Sequence, residues 1–205
     1  MPKWLKASAM VAALSGALLL PALAADTTQT IVFVRHGEKP PGGLGQLDCQ
    51  GLNRALALPA VLAKVFGKPD AIFAPDPSDK KKDDGKEYDY VRPLATIEPT
   101  AIWFGLPIKA DIGVSDIKGL EAALDRKRYR DALVFVAWEH KTIEDMVRSI
   151  LSAHGGDATA VPKWAGSDFD SIYVVKIART GDTATASFTL MHQGLDGQKE
   201  TCPGA

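Results

Sequence analysis

Two histidines stand directly behind the two most apolar segments of the chain. Arg35-His36-Gly37 follows Ile31-Val32-Phe33-Val34, and Glu139-His140 follows Leu133-Val134-Phe135-Val136-Ala137 and Trp138. A neutral imidazole is a competent nucleophile near pH 7, because its unperturbed pKa is about 6.5. Arginine stays charged and offers phosphate oxygens a planar fork of donors. With Arg92 as a second guanidinium, Arg35, Arg92 and His140 could neutralise a dianionic phosphoryl group and support the charge of an in-line transfer onto His36. Gly37 would let the backbone approach the phosphoryl oxygens without an intervening side chain. Such a set of fixed cations calls for no metal and no organic cofactor.

The elements around these residues must bring them together. The β-branched run at residues 31–34 and the run at 133–137 read as strands buried on both faces. From Asp48 the pattern turns helical, with Leu52, Ala55 and Leu56 on one face, a kink or restart at Pro59, and a stop at Gly67. Ala71-Ile72-Phe73 reads as a strand. The segment from Asp76 to Asp89, with its run Lys80-Lys81-Lys82-Asp83-Asp84, reads as a solvated loop. A helix is expected over 92–104, a weaker strand over 108–112, a helix from a Ser115 cap to about Tyr129, and another over 143–153. Ser171–Ile177 and Ala184–Met191 form a hairpin-like pair, with Trp164, Phe169, Ile172 and Tyr173 packing it. This order predicts an α/β fold: a three-layer sandwich with a mainly parallel central sheet and an antiparallel edge hairpin. In open α/β sheets, ligands bind beyond the carboxyl ends of the strands. If the two strong strands are neighbours, both histidines reach that rim.

At these residues the chain resembles the histidine phosphatase superfamily, which includes phosphoglycerate mutases and acid phosphatases. Arg35-His36-Gly37-Glu38 is similar to its RHG signature. Leu47 to Ala55 resembles the helix start that follows, Arg92-Pro93-Leu94-Ala95-Thr96 the second arginine with its threonine, and Val134 to His140 the strand delivering the second histidine. The resemblance implies that His36 becomes phosphohistidine, that Arg35, Arg92 and His140 hold the phosphoryl oxygens, and that water then releases phosphate. It also implies a carboxylate that protonates the leaving group. Lys141-Thr142 stands where many relatives place one, which leaves Glu139 as the first choice, with Asp111, Asp116 and Glu121 as alternatives. Three activities fit: a metal-independent phosphomonoesterase acting on a phosphorylated small molecule, a phosphomutase, and a non-catalytic module that binds phosphate groups on a ligand.

Composition sets the surroundings. The chain has 205 residues, 46% hydrophobic and 24% charged, with a formal net charge of −1, so no global basic field exists to hold nucleic acid. Lys3 and Lys6, the small and apolar run Ala7–Leu20, Pro21 and Ala22-Leu23-Ala24 read as a secretory signal cleaved after Ala24. That leaves one catalytic domain over residues 25–205, periplasmic or secreted, with no stable membrane insertion once the signal is gone. The run is shorter than the roughly 20 apolar residues a bilayer span needs. In an oxidising compartment, Cys49 and Cys202 are expected to pair.

Overall fold

Val32, Val34, Ile31 and Phe33 are almost wholly buried, and they divide by the period of a strand. Ile31 and Phe33 face one apolar layer, Val32 and Val34 the other. They sit in β1 (Thr27–Arg35) of a six-stranded sheet in a computed structural model that describes Met1 and residues 26–204. The expected signal segment lies outside the described residues. The other strands are β2 (Ala71–Pro75), β5 (Ile108–Ile112), β6 (Leu133–Trp138), β7 (Ser171–Thr180) and β8 (Thr183–His192), in the order β5-β2-β6-β1-β7-β8. β5, β2, β6 and β1 run parallel; β7 and β8 complete the sheet as an antiparallel hairpin. Helices α1 (Cys49–Phe66) and α2 (Arg92–Phe104) cover one face through Leu58, Leu62, Ile97 and Ala101. Helices α3 (Ile117–Leu124) and α4 (His140–Ala153) cover the other through Leu120, Leu124, Met146 and Val147. The expected three-layer sandwich is therefore the observed one. No helix among the described residues is long and apolar enough to cross a membrane.

Several local expectations need correction. The chain does not restart at Pro59, which lies buried inside one continuous α1. Ala55, Leu58 and Leu62 form its buried stripe, while Leu52 and Leu56 are exposed. The stripe is turned because Arg54, a charged residue, is also buried on that side. The segment read as a solvated loop folds into a second, two-stranded sheet, β3 (Lys80–Asp83) and β4 (Lys86–Asp89), and Asp83 is buried. Asp116, not Ser115, caps α3, its carboxylate accepting from Gly119 N–H at 2.9 Å. That helix ends at Leu124, before a short 3-10 turn over Lys127–Tyr129. α4 begins at His140 itself, three residues earlier than the apolar pattern suggested.

Cys49 and Cys202 are bridged, joining the start of α1 to the C-terminal segment across 153 residues. Closing so long a loop stabilises the folded chain by about 2–5 kcal/mol. The Asn53 amide adds two bonds to that segment, donating to the carbonyls of Lys199 and Thr201 at 2.8 Å each.

Candidate active site

The parallel register of β1 and β6 pairs Arg35 with Trp138, and His36 N–H continues the ladder to the Trp138 carbonyl at 3.2 Å. Neighbouring strands thus deliver His36 and His140 to the same end of the sheet. The chain leaves β1 through Gly37, where a Cβ would stand 3.0 Å from the Gly51 Cα and carbonyl oxygen. Glycine here permits direct packing on the first turn of α1. Its N–H donates to Thr96 Oγ1 at 2.9 Å, and Thr96 Oγ1 donates to the Arg92 carbonyl. That N–H is engaged within the protein in this structure, and the missing side chain is what the close approach to Gly51 requires.

His36 is 3% exposed, and its Nδ1 lies 2.7 Å from the Gly37 carbonyl. A carbonyl only accepts, so Nδ1 carries the proton and Nε2 keeps its lone pair. Burial, together with the charges of Arg35 and Arg92, pushes the imidazole pKa down to about 3, against the opposing pull of the Gly37 bond and the Glu139 charge. The ring is then neutral throughout the physiological range. Because the unfolded chain takes up this proton near pH 6.5 and the folded chain only near 3, stability contributed by neutral His36 is complete above about 6.5 and is lost as pH falls toward 3. A ring-resonance NMR titration is expected to show His36 unprotonated from pH 8 down to about 4. A midpoint near 6.5 would contradict this environment.

The two arginines approach His36 across aromatic rings. Arg35 lies 3.9 Å above Phe169, whose ring centroid is 6.1 Å from that of His36. Arg92 lies 4.7 Å from Tyr90, whose ring meets His36 edge-on at 6.0 Å. Arg35 Nη1 donates to the carbonyls of Gly166 at 2.9 Å and Asp168 at 2.7 Å. Arg92 Nη1 donates to Asp83 Oδ2 at 2.5 Å and to the Gly43 carbonyl at 3.2 Å. The arginine Nε atoms of Arg35 and Arg92, the Tyr90 hydroxyl and His140 Nδ1 are buried without a hydrogen-bond partner. Unpaired buried donors are costly, and Arg35, Arg92 and Tyr90, which carry three of them among the described residues, all act on or touch His36, an arrangement suited to an anion.

His140 Nδ1 stands 2.8 Å from Glu139 Oε1. The contact is ionic in distance but off the line of a hydrogen bond, which is why that nitrogen also counts among the unpartnered atoms. Glu139 Oε2 caps α4, accepting from Thr142 N–H at 3.0 Å. Burial alone would raise the Glu139 pKa; the His140 contact, the Thr142 N–H and the Lys81 charge outweigh it and hold the carboxyl at about 2. A group so firmly ionised is a poor proton donor near neutrality, and the geometry gives Glu139 a capping and orienting position. The alternatives stand elsewhere. Asp111 is exposed on edge strand β5, and Asp116 is occupied as the α3 cap. Glu121 lines a separate cavity with Gln29 and Ile31, five residues and roughly 16 Å of strand before His36. None of the three is brought to His36. Among the described residues, no group of three or more His, Cys, Asp or Glu side chains is placed to hold a metal ion.

Trp138 is a core residue, its indole N–H donating to the Val114 carbonyl at 2.7 Å. Trp164 stacks on Tyr173 of β7 as expected, whereas Phe169 leaves that hairpin to cover Arg35 and His36. Tyr90, Phe169 and Asp83 complete the site and were not anticipated. Tyr90 carries a weak signal, standing two residues before Arg92. Asp83 carries none, being one acidic residue in a run of charges.

No protein-family model matches the sequence, and no curated protein matches it. Solved structures do. A mycobacterial glucosyl-3-phosphoglycerate phosphatase in complex with inorganic phosphate superposes with a TM-score of 0.55 at 15% identity, covering 80% of this chain and 97% of that one. A Nakamurella multipartitia protein assigned as the phosphohistidine phosphatase SixA gives 0.54 at 16% identity, covering 83% and 98%. Phosphoglycerate mutase from Plasmodium falciparum gives 0.50 at 15% identity, covering 82% and 92%. At these identities the likeness is one of fold, and the fold of this chain is the one those phosphatases and that mutase share.

Proposed function

We propose that the protein is a phosphomonoesterase that works through a phosphohistidine at His36. The observation that carries this reading is the buried, neutral imidazole whose Nδ1–H is tied to the Gly37 carbonyl, leaving the lone pair on Nε2, with the charges of Arg35 and Arg92 close enough to act on the ring. The phosphoryl group of a small-molecule monoester sits against Arg35, Arg92 and His140. Nε2 attacks phosphorus in line, an N–P bond forms, and the P–O bond to the leaving alcohol breaks as that oxygen takes a proton from solvent, which the attacking water returns in the next step. The ring becomes cationic, and its Nδ1–H bond to Gly37 strengthens with the charge. Water then attacks phosphorus, the N–P bond breaks, and phosphate leaves with the imidazole restored. Glu139 orients His140 and keeps its Nδ1 side toward the carboxylate. No step uses a metal. The phosphatases sharing this fold support the reading.

A non-catalytic phosphate-binding module is the second reading, favoured by the ionised state of Glu139 and by the engagement of the site's other carboxylate, Asp83, with Arg92. Turnover of p-nitrophenyl phosphate with EDTA present separates the two. Catalysis gives turnover that phosphate inhibits; a binding module gives phosphate binding without turnover. We place the protein outside the cytoplasm, periplasmic or secreted. The N-terminal pattern of Lys3, Lys6 and Ala7–Ala24 and the Cys49–Cys202 bridge support that placement.

A further inference from the structure

The guanidinium of Arg92 is 2% exposed and already faces an anion. Asp83 presents Oδ2 to Nη1 at 2.5 Å and Oδ1 to Nη2 at 3.5 Å, an end-on arrangement in which a guanidinium can also receive two phosphate oxygens. Asp83 Oδ2 also accepts from Gly45 N–H at 3.1 Å. Burial would raise the Asp83 pKa, but the Arg92 bond, the Gly45 N–H and the Lys39 charge hold it below the usual carboxylate range. It is a resident negative charge. His36, Arg92 and His140 are all buried, and three cavities among the described residues, lined by Glu121, Val65 and Asp111 respectively, include none of them.

Asp83 does not belong to the central sheet. It ends β3, in the hairpin whose two strands pair with each other alone. The base of that hairpin is closed by Tyr90 N–H donating to the Asp79 carbonyl at 2.9 Å. A two-stranded hairpin on its own is marginal in water, and residues 80–89 share no backbone ladder with the central sheet, so their position depends on the contacts they make with Arg92 and the loop after β1. Its contact with the loop after β1 runs through bare glycine backbone: a Cβ on Gly43 would overlap the Asp83 carboxyl, and one on Gly45 would press on Tyr88 and Asp89. Lys81, over the Tyr90 ring at 5.5 Å, is carried on the same unit.

We propose that Asp83 is a built-in stand-in for the phosphoryl group, seated on Arg92, and that substrate enters by displacing it as the β3–β4 hairpin turns outward. This rests on the phosphatase reading of the site. A dianionic phosphoryl group and the Asp83 carboxylate repel each other strongly if they meet the same Nη1–Nη2 edge of Arg92, so binding at that edge is a competition. The apparent affinity for phosphate is reduced by the fraction of molecules in which Asp83 is seated.

The test uses inorganic phosphate as the probe, on the full-length mature protein. Asp83→Asn keeps the shape and removes the charge, and is expected to tighten phosphate binding about tenfold, the factor for a pair seated about nine-tenths of the time. Amide hydrogen exchange over residues 80–89 of the wild type is expected to speed up at saturating phosphate, which reads the displacement without any substitution. Unchanged or weaker phosphate binding in Asp83→Asn, or unchanged exchange in the hairpin of a wild type that binds phosphate, overturns the displacement while leaving the phosphatase reading intact. No phosphate binding by either protein, with no turnover, overturns that underlying reading as well.

Discussion

Replacing His36 by alanine is expected to lower kcat/KM for p-nitrophenyl phosphate by about four orders of magnitude or more, because it removes the atom to which the phosphoryl group is transferred. The loss should not arise from unfolding. The His36 ring makes one hydrogen bond, to the carbonyl of the next residue, and contributes little to the apolar layers on either side of the sheet. Far-UV circular dichroism and the melting temperature of His36→Ala should therefore stay close to those of the wild type. Inorganic phosphate should still bind, since Arg35, Arg92 and His140 remain. A variant that keeps phosphate binding and loses turnover isolates the nucleophile from the anion pocket. Residual turnover within tenfold of the wild type would remove His36 from the chemistry.

The largest effect on stability is expected at Arg54. This side chain is 1% exposed and forks onto Glu38 through Nε at 2.9 Å and Nη2 at 2.7 Å. Its Nη1 reaches Asp170 and Gln193, both at 3.2 Å. The bond to Asp196 counts for less, because that carboxylate is 79% exposed and solvent-screened. Glu38 and Asp170 are nearly buried, so Arg54→Met would leave two carboxylates without their cation. Breaking a buried pair in this way costs about 3–5 kcal/mol, a fall in melting temperature of roughly 10 °C for a domain of this size. Arg54→Lys restores a charge without the fork and should recover part of the loss. Glu38 immediately follows Gly37, so Arg54 also anchors the segment that carries His36. A loss under about 1 kcal/mol for Arg54→Met would show that the network contributes little.

Arg54 also illustrates what sequence reasoning could not reach. The strands β1 and β6 were legible because their apolar runs are short, rich in β-branched and aromatic residues, and end abruptly in polar residues. The bounds of α2 were legible because Arg92-Pro93 suits a first helical turn and Gly105, at φ 64°, a left-handed stop. The buried stripe of α1 was misread because a hydrophobic pattern assigns arginine to solvent, and only partners distant in sequence, Asp170 and Gln193, bring it inside. The β3–β4 hairpin was missed for a related reason. Lys-Lys-Lys-Asp shows no alternation, yet Asp84-Gly85, with φ of 48° and 81°, is the two-residue turn that hairpins favour, and it stood in the sequence as the available signal. At the site, the side chains bearing charge or a nucleophilic nitrogen could be named from type and position. Tyr90, Phe169 and the carbonyls of 166 and 168 could not, because apolar surface and backbone carry no chemical mark before the fold places them.

The central claim is a covalent bond between phosphorus and one nitrogen. The direct measurement is to mix the enzyme with p-nitrophenyl phosphate, quench in alkali, where phosphohistidine survives, and map the modified peptide by mass spectrometry. The account predicts a phosphoryl group on His36 that mild acid releases and that His36→Ala lacks. A phosphoryl group on another residue, or undiminished turnover with His36 never labelled, would contradict it.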